Sequence, residues 1–229
     1  MSNSREYFKS AVSVDNVIFG FDNTDLKVLL IKRGEEPFYG EWALPGDLVY
    51  PNENINTAAN RILFDLTGLE NVYLEQVMTF GEVDRHPKGR VITIGYFSLI
   101  NIKKVSPRAS SFANEVSWKN VRDVQELAFD HFKIMSTCLN RLQTNLRFKP
   151  IGFELLPERF TLTELQQLYE SVLGKELDKR NFRKKITKMN IIKDLNIYQT
   201  GVAHRPARLY SFEEEFYQQA LKDGITFEI

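Results

Sequence analysis

A run of basic residues at 178–190, DKRNFRKKITKMN, has the residue types and spacing for binding a nucleic acid. On a helical period of 3.6 residues, Phe182, Ile186 and Met189 share one face and are expected to point inward. The opposite face carries arginine, asparagine and lysine side chains, which can read base edges and bind phosphates in a major groove. The predicted DNA-contacting residues of this helix are Lys179, Arg180, Asn181, Arg183, Lys184, Thr187 and Lys188.

The elements around the basic run follow the order of a winged helix-turn-helix domain. Residues 160–174 predict a preceding helix, which Thr161 or Thr163 can cap. Two strand-like segments follow the basic run, and a basic loop joins them as a wing. A charged helix face that is merely solvated is the alternative, but the position between a turn and a basic wing favours DNA binding. The predicted DNA contacts of the wing are His204, Arg205 and Arg208.

A second region of interest, WALPGDLVYPNENINTAANRILFDLTGLE at 42–70, reads as a strand end, a loop and a helix. Asn54 or Asn56 can cap the helix start, and Gly68 is well placed to end it. The region resembles the Nudix box, the loop–helix–loop with which Nudix hydrolases hold a divalent metal against a diphosphate. The positions in register with that family pattern are Leu44, Pro45, Gly46, Glu53, Arg61, Leu63, Gly68 and Leu69.

The departures from the Nudix box concern its metal ligands. The resemblance implies that carboxylates at positions i, i+3 and i+4 of the helix bind the metal, and here this face carries Ile62, Asp65 and Leu66. Magnesium prefers near-octahedral oxygen coordination, which one aspartate between two aliphatic side chains does not readily supply. We therefore expect no enzyme activity, no catalytic residue, no metal and no cofactor. A hydrolase with replacement ligands is the alternative.

The same resemblance places a ligand cleft beside the box and the loops near it. A bound diphosphate would need cations or backbone donors. The arginines in these segments are Arg33, Arg61, Arg85 and Arg90, although Arg61 can instead pair with Glu53 as in the Nudix box. The aliphatic side chains on the box helix suit a smaller neutral ligand, so a pentose, above all arabinose, is expected ahead of ADP-ribose. The predicted effector contacts are Arg33, Trp42, Asp47, Arg61, Glu82, Asp84, His86 and Tyr96.

The expected fold class is α+β, with a Nudix-type α/β/α sandwich around a mixed sheet, followed by a winged helix-turn-helix domain. Residues 11–32 predict a β-hairpin with a turn at DNTD. Residues 130–145 predict the closing helix of the first domain, with Phe132, Met135, Leu139 and Leu142 on its inward face. Two prolines and a glycine interrupt regular structure at 147–157. We therefore expect domains at 1–148 and 149–229.

Composition sets modest bounds. The 229 residues carry no formal net charge, so affinity for nucleic acid must come from a local patch. The single cysteine, Cys138, lies among apolar residues and is expected to be buried and inert. Neither a signal peptide nor a membrane-spanning run is recognisable. We expect a cytoplasmic protein with no membrane contact.

A degenerate Nudix domain followed by a winged helix is similar to the bacterial Nudix-related transcriptional regulators. DKRNFRKKI in particular resembles their recognition helix, and the likeness covers residues 12–212. The family includes ADP-ribose-responsive repressors of NAD metabolism and branches that control pentose utilisation. The resemblance implies a homodimer on a pseudo-palindromic double-stranded DNA operator, with a small-molecule effector in the former catalytic domain.

Overall fold

The first of two compact units is built on a seven-stranded sheet. The computed structural model describes residues 9–202, 205–224 and 227–229. Strand β1 lies between β2 and β6 in the sheet, β4 also pairs with β1, and β7 also pairs with β2. The strands are β1 Ala11–Phe21, β2 Leu26–Arg33, β3 Trp42–Ala43, β4 Gly46–Leu48, β5 Tyr73–Phe80, β6 Val91–Asn101 and β7 Ala113–Asn120.

Helix α1, Ile55–Thr67, is the helix of the Nudix-like box. The side chain of Asn54 accepts a hydrogen bond from the Thr57 N–H at 2.9 Å, so Asn54 is the cap. Gly68 ends the helix in the left-handed conformation at φ 70, and its N–H donates to the Phe64 carbonyl. Both ends of α1 therefore lie where the sequence predicts them.

Helices α1 and α2, His131–Phe148, lie against opposite faces of the sheet. Val14 of β1 packs in a buried cluster with Ile62 of α1. The next residue, Asp15, faces His131 of α2 across 3.6 Å. Because helices cover both faces, β1 is buried along most of its length and reads as a nearly continuous apolar run. The predicted α+β fold with a sandwiched sheet is confirmed.

The face that α2 buries differs in part from the predicted one. Phe132 is 41% exposed, although the sequence places it inward with Met135 and Leu142. The helix starts at His131, which is itself buried. The buried face of α2 therefore contains the residues that follow His131 at spacings of three and four. The buried residues on this face are His131, Ile134, Met135, Cys138, Leu142, Asn145 and Leu146. Cys138 is buried as predicted.

The second unit contains a helix-turn-helix and a β-hairpin, in the order that the sequence predicts. Its elements are α3 Leu162–Leu173, α4 Lys179–Met189, β8 Ile192–Tyr198, β9 Arg208–Phe212 and a further helix, α5 Glu214–Lys222. Helix α5 is not predicted by the sequence analysis. No helix in the described part of the chain is long and apolar enough to cross a membrane.

Side-chain caps fix both helices of the helix-turn-helix. Thr161 caps α3 in a capping box with Glu164. Asp178 caps α4 by accepting a hydrogen bond from the Asn181 N–H at 2.8 Å. The rings of Tyr169 on α3 and Phe182 on α4 pack with centroids 5.5 Å apart, which buries the apolar face of the basic helix.

The two compact units divide within α2. Residues 104–141 belong to the first unit and Leu142–Ile229 to the second, to which Phe21–Leu26 and Asn101–Lys103 also belong. The predicted boundary between residues 148 and 149 coincides with the end of α2, and it stays a prediction.

Replacing Ile62 with glutamate, the residue that the Nudix box has at this position, should destabilise the protein. Ile62 is completely buried, so the variant places an unpaired carboxylate in the core. We expect the free energy of unfolding to fall by about 3–5 kcal/mol, measured by urea denaturation. The control is Asp65→Glu on the exposed side of α1, which should change it by less than about 0.5 kcal/mol. Equal midpoints for I62E and wild type would contradict the core assignment.

Candidate ligand cavity and nucleic-acid interface

A cavity of about 500 Å³ lies in the first unit. This volume is within the range of small-molecule sites. Its floor is polar and is formed by side chains from β1, β6, the connector before β6 and the start of α2. The floor residues are Ser13, Asp15, Arg85, Thr93 and His131.

Asp15 contributes a buried carboxylate to this floor, with only 6% of its side chain exposed. It lies opposite Gly46 of β4 in the strand register. A Cβ atom on Gly46 would lie 1.7 Å from Oδ1 of Asp15, so only glycine leaves space for the carboxylate. Burial raises the pKa of Asp15 to about 7, against the opposing effect of the Arg85 charge.

Arg85 connects the floor to the start of α2. Its Nε and Nη2 atoms donate to the two carboxylate oxygens of Asp130 at 2.9 and 2.6 Å, and its Nη1 donates to Thr93. Such two-point pairs are strong and fix orientation. The guanidinium is nearly fully buried, with 4% of the side chain exposed, so these contacts hold the connector, β6 and α2 together.

His131 is neutral and has a defined tautomer. Its Nδ1 accepts a hydrogen bond from the Leu44 N–H at 3.0 Å, which leaves the proton on Nε2. Nε2 lies 3.6 Å from Oδ2 of Asp15. Burial, assisted by the nearby charge of Arg85, lowers the pKa of His131 to about 3.

Aromatic rings line another part of the cavity. Phe129 has a positive φ of 56°, a conformation that is costly for an aromatic residue and concentrates at functional sites. Its ring is stacked on His86 with centroids 5.0 Å apart. The guanidinium of Arg33 lies 5.0 Å from the Phe129 ring and 5.4 Å from the Phe112 ring. These groups can hold a flat, electron-rich ligand part by stacking and cation–π contact.

Three cations around the cavity are oriented by backbone carbonyls. Arg33 Nε donates to the Pro37 carbonyl at 2.7 Å, and Lys88 Nζ donates to the Glu36 carbonyl at 3.0 Å. Arg90 donates to the carbonyls of Gly81 and Glu82. We call Arg33, Lys88 and Arg90 the cationic rim. The acceptors of these hydrogen bonds are neutral carbonyls, so the three cations suit an anionic ligand group.

Three of the eight predicted effector residues line this cavity, and five do not. Arg33, Asp47 and His86 belong to the lining. Asp84 is exposed outside it. Glu82 forms an ion pair with Lys133 instead.

The other predicted residues make structural contacts. Trp42 has Lys119 over its ring at 4.4 Å. Tyr96 is 3% exposed and donates its hydroxyl to Asn56 at 2.7 Å. Arg61 makes a two-point ion pair with Glu53, the pairing that the Nudix-box resemblance implies. Each of these groups already has its partner within the fold.

The face of α1 that holds metal in the Nudix box is also outside the cavity. Ile62 and Leu66 lie in the core on the α1 face of the sheet and do not line this cavity. Asp65 is partly exposed and lies 3.5 Å from Arg61. Within the described ranges, no three histidine, cysteine, aspartate or glutamate side chains are grouped as metal ligands.

Four residues of this site were not predicted from the sequence: Asp15, Thr93, Phe129 and His131. One signal was present, because Asp15 is the acidic residue within the apolar strand AVSVDNVIFGF. A charged residue in a strand buried on both faces needs a special environment.

The second candidate site is the outer face of α4. Phe182, Ile186 and Met189 are buried, and most of the predicted DNA-contacting side chains are exposed without an ion-pair partner among the described residues. The exposed members are Lys179, Arg180, Asn181, Lys184, Thr187 and Lys188. Arg183 is half-buried and donates to the Thr163 hydroxyl at 3.0 Å, so it connects α4 to α3. The face combines base-reading and phosphate-binding side chains.

The wing of β8 and β9 carries the remaining predicted contacts. Arg205 is exposed. Arg208 pairs with Asp194 at 2.5 Å and also donates to the Tyr198 hydroxyl. His204 lies outside the described residues. Arg205 is therefore freer to meet a phosphate than Arg208.

Comparisons with known proteins agree with this architecture. The chain matches the Nudix domain family over residues 9–138 and the NrtR DNA-binding winged helix domain over residues 152–212. It is 35% identical to the ADPR responsive transcriptional repressor NtrR of Acinetobacter baylyi, over 93% of this chain and 86% of that one. This chain belongs to the NrtR-like family of Nudix and winged helix regulators.

Two further relatives are informative. The crystal structure of Shewanella oneidensis NrtR with a 27mer DNA has a TM-score of 0.76 at 30% identity and covers 90% of this chain and 95% of its own. The Nudix domain of that NrtR, crystallised with ADP ribose, has a TM-score of 0.55 at 28% identity and covers 62% of this chain and 99% of its own. An ADP-ribose pyrophosphatase of Methanocaldococcus jannaschii is 34% identical over 57% of this chain and 74% of its own.

The buried pair Asp15 and His131 should give opposite pH dependences of stability. Between pH 4 and 7 the folded protein keeps a proton on Asp15 that the unfolded chain has released, so this group's contribution falls as pH rises. Between pH 3 and 6.5 the unfolded chain protonates His131 whereas the folded protein does not, so that contribution rises with pH. In the wild type the two dependences oppose each other.

Urea denaturation of Asp15→Asn and His131→Asn at pH 4.5, 5.5 and 6.5 separates the two pH dependences of stability. Relative to the wild type, we expect the stability of D15N to increase with pH across this window and that of H131N to decrease. Slopes that change in the same direction in both variants would contradict the assignment.

Proposed function

We propose that this chain is a transcriptional repressor that binds operator DNA through α4 and the wing, under the control of ADP-ribose bound in its Nudix domain. The observation that carries the DNA-binding part is the exposed cationic face of α4, which forms no ion pair with any residue that the structure describes. The opposite, apolar side of α4 is packed within the helix-turn-helix. A second helix held in this way is the one that enters the major groove in helix-turn-helix proteins. The relative crystallised with DNA shares the fold over both units.

For the effector, the relatives favour ADP-ribose over the pentose that the sequence analysis puts first. One relative is named as ADPR responsive, and the Nudix domain of another was crystallised with ADP ribose. None of the relatives described above is named for a pentose. The aliphatic residues that suggested a small neutral ligand are in the core and away from the cavity.

The cavity chemistry supports the same choice. A diphosphate needs cations, and the cationic rim supplies three whose hydrogen bonds go to neutral carbonyls. A purine can stack on the aromatic rings beside Arg33. A pentose has neither a diphosphate for these cations nor a purine for these rings.

The proposal includes the absence of hydrolase activity. Two of the three helix positions that supply metal ligands in the Nudix box are buried aliphatic residues, Ile62 and Leu66. The third, Asp65, lies beside Arg61, whose charge competes with a metal ion. An enzyme would need other ligands.

The proposal also includes a homodimer on a pseudo-palindromic operator. A two-fold dimer presents two copies of α4 about one DNA turn apart. The operator that it binds should therefore contain two half-sites related by the same two-fold symmetry. A repressor must reach its operator DNA, which in bacteria lies in the cytoplasm. The predicted cytoplasmic location is therefore part of this proposal.

The double variant Arg180→Ala/Lys184→Ala should lose specific retardation of DNA from upstream of its own operon. Removing two phosphate-binding or base-reading cations should also make the plot of log affinity against log salt shallower by up to about 1.8. The measurement is a mobility shift at several salt concentrations. Lys149→Ala/Lys222→Ala removes two exposed cations from outside α4 and the wing and serves as the charge-matched control. Equal losses in both double variants would mean that only total charge matters.

Calorimetry should detect binding of ADP-ribose and no binding of L-arabinose or D-xylose. Arg33→Met should weaken ADP-ribose binding by about 10-fold or more, because it removes a cation with a fixed orientation from the cavity. Arg108→Met, an exposed change outside the cavity lining, is the control. Incubation with Mg²⁺ should release no AMP. Tight pentose binding without ADP-ribose binding would favour the pentose effector expected from the sequence. AMP release would show that the protein is a hydrolase.

A further inference from the structure

The carboxylate of Asp15 lacks a hydrogen-bond partner in the described part of the chain. Its neighbours are Nε2 of His131 at 3.6 Å and Nη2 of Arg85 at 3.9 Å, both beyond hydrogen-bond length. Only 6% of the side chain is exposed, and that part belongs to the cavity lining. Buried polar groups are nearly always satisfied, so this one marks a place where a ligand donates.

The donors beside Asp15 make their hydrogen bonds elsewhere or lie beyond hydrogen-bond length, which leaves its carboxylate as an acceptor on the floor. Arg85 directs its donors to Asp130 and Thr93. His131 is neutral; its Nδ1 accepts from the Leu44 N–H, and its Nε2–H lies 3.6 Å from Asp15. The cationic rim has the opposite character. A ligand that fills the cavity must therefore be anionic in one part and carry hydrogen-bond donors in another.

On the basis of the proposed function, we infer that Asp15 accepts hydrogen bonds from the hydroxyls of the terminal ribose of ADP-ribose, while the diphosphate lies at the cationic rim. Neighbouring hydroxyls are neutral donors that match the two oxygens of a carboxylate. In this arrangement the adenine lies at the stacking surfaces, Phe112 and Phe129, which are half-buried beside Arg33. ADP, which ends in a phosphate, offers Asp15 an anion in place of a donor.

Calorimetry with ADP-ribose and ADP on three proteins at pH 8.5, where Asp15 is ionised, tests this inference. The wild type should bind ADP-ribose about 10- to 100-fold more tightly than ADP, the range for a hydrogen bond to a charged group. Asp15→Asn should lose most of this difference, because ADP-ribose affinity falls while ADP affinity does not. Asp123→Asn, an exposed isosteric change outside the cavity lining, should retain the wild-type ratio. Operator retardation by each variant checks that it is folded.

The outcomes separate the inference from the proposed function. A wild type that binds neither ligand removes the proposed effector. A wild type that binds ADP-ribose, with an unchanged ratio in D15N, overturns the assignment to Asp15 alone. Gly46→Ala is the second variant, since its Cβ displaces the carboxylate without changing charge and should reduce the ratio in the same way. Should both variants fail to fold, equal affinities of the wild type for ADP-ribose and ADP would overturn the inference, and a 10- to 100-fold preference would support it.

Discussion

The ion pair between Arg85 and Asp130 is the interaction on which the cavity depends. A buried guanidinium is costly unless its donors are used, and here two of its nitrogens bind one carboxylate while a third binds Thr93. The pair fixes the connector before β6 against the start of α2. Because Asp130 lies between Phe129 and His131, the same contact sets the positions of a stacking ring and of the imidazole that faces Asp15. The ion pair of Asp130 thus positions the two cavity residues on either side of it in the sequence.

The two recognition surfaces use cations in different ways. In the cavity, Arg33 and Lys88 are held by backbone carbonyls before any ligand arrives. Fixed groups lose little freedom on binding, which suits a small ligand that must be chosen by shape. On α4, Arg180 and Lys184 have no ion-pair partner among the described residues and are free to follow a phosphate backbone. That freedom suits DNA, where affinity comes largely from released counterions.

The sequence predicted the parts of this fold that depend on local chemistry. The caps at Asn54 and Thr161 and the left-handed end at Gly68 are set by residues within one helical turn, so these helix ends follow from the sequence alone. The apolar face of α4 was predicted for the same reason. The rotation of α2 was missed at Phe132, because the period alone does not say where a helix starts.

The cavity floor was beyond such reasoning, because its members come from distant parts of the chain. Asp15 and His131 meet only through the packing of α2 on β1, and no local pattern encodes that contact. Residue type did not identify the aromatic ligand contacts either. Trp42 and Tyr96 are residues that often contact ligands, but here they contact the side chains of Lys119 and Asn56. The family resemblance located the domain that holds the cavity and not its lining.

The close approach of Gly46 to Asp15 has an evolutionary consequence. These two residues face each other in the strand register, and the space that a Cβ would take at position 46 is filled by the Asp15 carboxylate. Substitution at either position therefore changes what the other can be, and the two should covary among relatives. A relative with a larger residue at the position of Gly46 would have a shorter or reoriented side chain opposite it and a floor without the acid. This strand pair is thus a marker by which ligand preference could be sorted across the family from sequence alone.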